Sequence, residues 1–154
     1  MVLSRKHDHP WEASVPAVER RVQVLIADDD ARARQGLRAL LATCPEVEGV
    51  GEAGSGAEAV HLVEECRPDV VLMDARMPGL DGLEATRVIK SHFPNVKVVI
   101  LTLYSGYKPE ALSIGADSFL LKGCPAEELL GVVLPPASPF PSSQGSSRSS
   151  PLDG

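Results

Sequence analysis

The sequence lacks the features of secreted and membrane-bound proteins. Its three cysteines, Cys44, Cys66 and Cys124, include no C-x-x-C spacing, so no framework of disulfides is indicated. No apolar run approaches the roughly 20 residues that span a bilayer. The N-terminus begins with charged and polar residues instead of a secretory signal. We therefore predict a cytoplasmic protein with reduced thiols and no membrane association.

Positive charge is also scarce. The chain of 154 residues has a formal net charge of −6, and residues 22–133 hold 10 lysines and arginines against 17 aspartates and glutamates. The resulting charge of −7 in this stretch repels a phosphate backbone. We expect no direct binding of nucleic acid by this chain.

Length and composition predict one folded domain between two unstructured ends. Residues 1–20 show no sustained hydrophobic period, so we interpret them as a flexible leader. Residues 135–154 contain five prolines and seven serines, a composition that buries too little apolar surface to offset the entropy of ordering. We therefore predict a folded domain over residues 21–134, followed by a disordered tail.

Within the predicted domain, short apolar runs alternate with segments of helical period. The apolar runs predict strands over residues 22–27, 47–53, 70–74, 96–102 and 118–122. The helical segments between them end at proline or glycine, and a fifth helix begins near Pro125. Five strand–helix units predict an α/β fold, in which helices cover both faces of a five-stranded parallel sheet.

Polar side chains stand at the ends of four predicted strands. They are Asp28, Asp29 and Asp30 after the first strand, Asp74 after the third, Thr102 after the fourth and Lys122 after the fifth. The carboxyl ends of parallel strands share one edge of an open α/β sheet, where ligands bind. We therefore expect these groups to converge, with Thr102 and Lys122 donating hydrogen bonds to a phosphoryl group.

The acids suit a metal ion and a nucleophile. Asp28 and Asp29 are predicted to bind Mg²⁺, which prefers hard oxygen ligands. Asp30 suits a helix N-terminus, where negative charge is favoured. Asp74 is predicted to form an acyl phosphate, and capping of the following loop is its alternative role.

Three motifs resemble the receiver domain of two-component response regulators, closest to those with a helix-turn-helix output (LuxR-type). They are VLIADDDARARQGLRALL, DVVLMDARMPGLDGLEATR and GADSFLLK, and the similarity covers residues 22–133. The resemblance implies a flavodoxin-like, doubly wound (βα)5 sandwich with strand order 2-1-3-4-5. It also implies a phosphorelay protein that takes a phosphoryl group from a sensor histidine kinase and is not a multiple-turnover enzyme.

The resemblance assigns roles to individual residues. Asp74 is implied to be the phospho-acceptor, and Lys122 is implied to contact the phosphate. The implied ligands of Mg²⁺ are Asp28, Asp29, Asp74 and the backbone carbonyl of Arg76.

Thr102 and Phe119 are implied to be a switch pair. A phosphoryl group adds about −1.5 to −2 of charge and strong acceptor oxygens, which draw the Thr102 hydroxyl inward and leave room for the Phe119 ring. The fourth helix and fifth strand then present a changed face to a protein partner or to a second copy of the chain.

Three features depart from the family pattern. The segment between Thr102 and Gly115 is roughly two residues short and contains Pro109, which predicts a short fourth helix. Gly123 follows Lys122 where the family often has proline, so the cis peptide bond that the resemblance implies there lacks the proline that favours it. The Pro/Ser-rich tail stands where related proteins continue into a DNA-binding domain, so a stand-alone receiver and a truncated chain both remain open.

Two alternative functions also remain open. The short fourth helix suggests a pseudo-receiver that binds its partners without phosphorylation. The D-x-D sequence from Asp28 to Asp30 suggests a haloacid-dehalogenase-like phosphatase, although Arg32 replaces that superfamily's threonine or valine.

Overall fold

The computed structural model describes residues 21–135, which form five strands and five helices in alternation. The strands are β1 (Val22–Ala27), β2 (Val47–Ala53), β3 (Val70–Met73), β4 (Lys97–Thr102) and β5 (Ser118–Leu121). The helices are α1 (Ala31–Ala42), α2 (Gly56–Cys66), α3 (Gly82–His92), α4 (Lys108–Ser113) and α5 (Ala126–Val133). The predicted leader and the predicted tail beyond Pro135 lie outside the described residues. None of the helices within residues 21–135 has the length and apolar character needed to cross a membrane.

The five strands form one parallel sheet in the order β2-β1-β3-β4-β5. This order confirms the predicted flavodoxin-like, doubly wound fold. Crossover connections between parallel strands are right-handed, so the reversal of winding direction between β1 and β3 sends helices to opposite faces. A crevice opens at the carboxyl ends of the strands where the winding reverses.

Two apolar layers hold the sheet between its helices. Leu25 and Met73 belong to the layer that faces α2, α3 and α4, whereas Ile26 and Leu72 belong to the layer that faces α1 and α5. Successive strand residues point to opposite faces, and both faces here are covered. The strands therefore appear in the sequence as continuous apolar runs.

β3 and β5 end one residue earlier than predicted, and β4 begins one residue later. Asp74 and Lys122 thus lie immediately beyond their strands. Their backbone amides still donate hydrogen bonds to the neighbouring strands, Asp74 to the Ala27 carbonyl (2.9 Å) and Lys122 to the Thr102 carbonyl (2.7 Å). These bonds hold both residues at the carboxyl edge of the sheet.

Two of the three departures from the family pattern lie within residues 21–135, the short fourth helix and the glycine after Lys122. α4 is short, as predicted; it has six residues and follows a 3₁₀ turn over Ser105–Tyr107. Pro109 lies in its first turn, where a missing N–H removes no helical hydrogen bond. There is no cis peptide bond among residues 21–135, and Gly123 adopts a φ of +90°, which proline at that position cannot reach.

Candidate functional site

Three carboxylates meet at the carboxyl edge of β1 and β3. Ala27 and Met73, the last residues of these strands, are register partners, so the residues that follow them lie side by side. Asp28, Asp29 and Asp74 each place a carboxylate oxygen within 4.8 Å of the other two. Asp28 and Asp74 are buried, whereas Asp29 is exposed. The structure thus brings together the three acids that the sequence placed at one edge.

Lys122 inserts its ammonium group between two of these acids. Its Nζ lies 2.7 Å from Oδ2 of Asp28 and 3.2 Å from Oδ2 of Asp74. Burial lowers the pKa of Lys122, but the hydrogen bonds and negative charges of the two carboxylates raise it by more, so the pKa lies above its ordinary value. Lys122 is therefore a cation at neutral pH, and it offsets the repulsion between the two buried acids.

Asp74 is held in an environment that disfavours its charge. Its Oδ1 accepts a hydrogen bond from the backbone amide of Arg76 at 3.3 Å. Burial raises the pKa of Asp74 and the charge of Asp28 adds to the rise, while Lys122 and the Arg76 amide counter part of it. The net direction is upward, so the ionised carboxylate is poorly stabilised by the protein alone.

Asp30 lies in the same acidic run but has a structural role. It is the N-cap residue of α1, and its Oδ1 accepts a hydrogen bond from the backbone amide of Arg32 at 2.9 Å. The Asp30 amide in turn donates to Oδ1 of Asp28 at 2.9 Å. The predicted helix-capping role of Asp30 is confirmed.

Thr102 is fully buried at the end of β4. Its Oγ1 has no hydrogen-bond partner within residues 21–135. Phe119 is partly buried, and it pairs in register with Ile100, two residues before Thr102. Thr102 and Phe119 therefore lie on the same face of adjacent strands. An unpaired buried hydroxyl costs about 1–3 kcal/mol, and the fold bears this cost at the carboxyl end of β4.

An open cavity of about 390 Å³ lies over the site. Its lining residues are Asp28, Asp29, Asp30, Asp74, Arg76, Leu103, Tyr104 and Lys122. Thr102 is not among them. The acids and the amine are thus open to a small anionic group from solvent.

Leu103 and Tyr104 were not anticipated from the sequence. Both directly follow β4, and both are more than half exposed, at 65% and 52%. The Arg76 guanidinium lies 5.9 Å from the centroid of the Tyr104 ring, within range of a cation–π contact. Their position after a strand end was the available signal, but apolar and aromatic side chains do not by themselves indicate phosphoryl chemistry.

Comparison with known proteins gives a consistent result. A sequence model of the response regulator receiver domain family matches residues 24–134. The chain is 40% identical over 117 residues to the transcriptional regulatory protein DegU of Brevibacillus brevis, covering 75% of this chain and 50% of that protein. The chain spans about half the length of the curated relatives it matches.

Two solved structures show the same fold. The response regulator domain of Thermotoga maritima CheB is 34% identical with a TM-score of 0.69, covering 74% of this chain and 94% of that chain. A LuxR-family DNA-binding response regulator from Staphylococcus aureus is 32% identical with a TM-score of 0.68, covering 73% of this chain and 95% of that chain.

Proposed function

The chain belongs to the response regulator receiver domain family of two-component signalling, and from this we propose that it accepts a phosphoryl group on Asp74 from a sensor histidine kinase. It acts as a stoichiometric acceptor in a phosphorelay and is not a multiple-turnover enzyme. The observation that carries the proposal is the cluster of Asp28, Asp29 and Asp74 around the Lys122 ammonium, beneath an open cavity.

The donor set suits Mg²⁺ as the cofactor. Asp28, Asp29 and Asp74 offer carboxylate oxygens within 4.8 Å of one another, and Mg²⁺ binds through a few such hard ligands while it keeps several waters. The backbone carbonyl of Arg76 is the proposed further ligand. Bound Mg²⁺ supplies positive charge that offsets the repulsion between the acids and the incoming phosphoryl oxygens.

Asp74 is the proposed nucleophile. One of its carboxylate oxygens attacks phosphorus as the bond from phosphorus to the donor's leaving group breaks. With a phosphohistidine donor, the imidazole leaves with the bonding electrons and takes up a proton; with acetyl phosphate, acetate leaves. The Lys122 ammonium donates a hydrogen bond to a phosphoryl oxygen and stabilises the charge that accumulates there.

The unpaired hydroxyl of Thr102 supports its proposed role in switching. The phosphoryl group provides acceptor oxygens, so Thr102 gains the partner that it lacks among residues 21–135. Phe119, on the same face of β5, then fills the space that Thr102 leaves. The surface of α4 and β5 changes with them, and its exposed Leu112 and Leu121 are available to a protein partner or a second copy of the chain.

Intact mass measurement after incubation with Mg²⁺ and acetyl phosphate tests the proposal. The wild type is expected to gain the mass of one phosphoryl group, and Asp74→Asn is expected to gain none. Asp30→Asn is the matched control, because Asp30 lines the same cavity but caps α1. It is expected to gain the same mass as the wild type. A wild type that gains no mass, or an Asp74→Asn variant that gains it equally, contradicts the proposal.

The short α4 favours a pseudo-receiver as the second candidate. Its signature is partner affinity that is equal for Asp74→Ala and the phosphorylated wild type. The phosphatase alternative loses support, because its second acid, Asp30, caps a helix and Asp29 joins the cluster instead. Multiple-turnover phosphatase activity that Asp28→Asn abolishes would revive it.

A further inference from the structure

Arg34 contacts the backbone of the turn after β1, which carries Asp28 and Asp29, from outside the cavity. It lies near the start of α1, and its Nη1 donates a hydrogen bond to the backbone carbonyl of Asp28. Its Nε donates to Oε1 of Glu52 at 2.8 Å. The Arg34 side chain is only 20% exposed and does not line the cavity. Arg34 therefore has no direct contact with a group bound there, but it contacts the chain that carries the acids.

Glu52 fixes the Arg34 guanidinium in place. Glu52 lies on β2, next to β1, and its second oxygen accepts a hydrogen bond from Nε of Arg38 at 2.7 Å. Hydrogen bonds from Arg38 and Arg34 lower the pKa of Glu52 below its ordinary value, so the carboxylate is ionised at neutral pH. The Arg34 guanidinium thus links the Glu52 carboxylate on β2 to the backbone of the turn after β1.

The contact with the Asp28 carbonyl determines the direction of the next side chain. This carbonyl belongs to the peptide unit that joins Asp28 and Asp29, so holding it restricts ψ of Asp28 and φ of Asp29. The Asp28 amide donates to the Ala53 carbonyl at 3.0 Å and its carboxylate pairs with Lys122. Asp29 is exposed, so its position depends on the backbone that Arg34 holds.

We propose that Arg34 is a positioning residue, whose guanidinium fixes the Asp28–Asp29 peptide unit and so presents both carboxylates to a divalent cation. The inference rests on the proposed function, in which these acids bind Mg²⁺. Groups that orient metal ligands typically contribute about 10–100-fold to metal affinity. Charge alone predicts the opposite sign, because removal of a nearby cation reduces repulsion of Mg²⁺ and tightens its binding.

The Mg²⁺ affinity of the full chain, measured by isothermal titration calorimetry without a phosphodonor, tests the inference. Arg38→Gln is the matched control for Arg34→Gln. Arg38 also pairs with Glu52 and donates to a backbone carbonyl, but that carbonyl belongs to Val50 on β2 (3.0 Å). We expect Arg34→Gln to weaken Mg²⁺ binding about 10-fold and Arg38→Gln to change it less than about 2-fold.

Arg34→Gln binding that is equal to or tighter than that of the wild type overturns the inference, as does equal weakening in Arg38→Gln. Circular dichroism and urea denaturation report whether each variant is folded. Should Arg34→Gln not fold, Arg34→Lys is tested instead. Lysine keeps the charge but lacks the planar guanidinium that donates to two acceptors at once, so Arg34→Lys is expected to weaken Mg²⁺ binding. Wild-type Mg²⁺ affinity in this variant overturns the inference. A wild type that binds no Mg²⁺ and gains no phosphoryl mass refutes the proposed function itself, a result distinct from these.

Discussion

Replacement of Gly82 by alanine is expected to displace the proposed acceptor. Gly82 begins α3 and lies directly against the residue that follows β3. A Cβ built on Gly82 falls 1.7 Å from the backbone oxygen of Asp74 and 2.7 Å from its carbonyl carbon. Because non-bonded heavy atoms prefer about 3.5–4.0 Å, either α3 or the Asp74 backbone must move by about 1.5 Å or more.

Two effects of opposite sign determine the stability of Gly82→Ala. Alanine has a better helix propensity than glycine by about 0.8–1.0 kcal/mol. Overpacking costs typically about 1–3 kcal/mol and occasionally more, and here the opposing atoms are backbone atoms that cannot rotate away. The cost therefore lies at the upper end of this range, and after the helix-propensity gain is subtracted we expect the free energy of unfolding to fall by about 2 kcal/mol. The phosphorylation rate is expected to fall further, by about 100-fold, because a reacting group is misplaced by more than 1 Å.

Urea denaturation and the rate of mass gain from acetyl phosphate measure the two effects. Gly36→Ala in α1 is the matched control, because a Cβ at Gly36 meets no atom within 4 Å. It is expected to raise the free energy of unfolding by about 0.5–1 kcal/mol and to leave the phosphorylation rate unchanged. A Gly82→Ala variant that matches the wild type in both stability and rate would refute the reasoning.

Three further substitutions probe the site. Thr102→Val keeps the shape of a fully buried side chain and removes its unpaired hydroxyl, so the free energy of unfolding is expected to rise by about 1 kcal/mol; lower stability in urea would contradict this. Asp74→Asn is expected to raise the urea midpoint at pH 7, because burial raises the pKa of Asp74 and its ionisation opposes folding. Protonated Asp74 contributes its full stability below the pKa that Asp74 has in the unfolded chain, and this stability is lost as the pH rises through the higher pKa that Asp74 has in the folded protein. The stability advantage of Asp74→Asn over the wild type should therefore vanish in acid. An advantage that does not change with pH would argue against this cause. Lys122→Gln removes the ammonium between Asp28 and Asp74. Because this cation repels Mg²⁺ but stabilises the phosphoryl oxygens, calorimetry is expected to show tighter Mg²⁺ binding and mass spectrometry slower phosphorylation. Weaker Mg²⁺ binding would contradict the expectation.

Much of the fold could be predicted because its strands are covered on both faces. Such strands are apolar throughout, and prolines end the helices between them, so β1 and β2 were predicted with their observed bounds. The ends of β3 and β5 were misplaced by one residue. Apolar character stops at Asp74 and Lys122, but both amides still bond to the adjacent strand, and such a boundary depends on hydrogen bonding that the pattern of side chains does not reveal.

Some residues of the candidate site could be predicted from the sequence and others could not. Asp28, Asp29, Asp74 and Lys122 were predicted because polar groups that end apolar strands are conspicuous, and parallel strands bring their carboxyl ends to one edge. Tyr104 was missed because nothing in its residue type distinguishes a cavity wall from an ordinary loop.

The sequence by itself determined the number and type of the structural elements and the chemical groups at the strand ends, because these follow from hydrophobic period and local chain termination. The tertiary structure alone decided that the hydroxyl of Thr102 lacks a partner within residues 21–135, that Arg34 reaches the Asp28 carbonyl, and that Gly82 touches the Asp74 backbone. Arg34 lies only six residues after Asp28, and Gly82 belongs to the connection that follows Asp74, so both contacts depend on how a helix packs back against the strand before it. The missing partner of the Thr102 hydroxyl depends on the packing around β4. Local sequence patterns do not encode those distances.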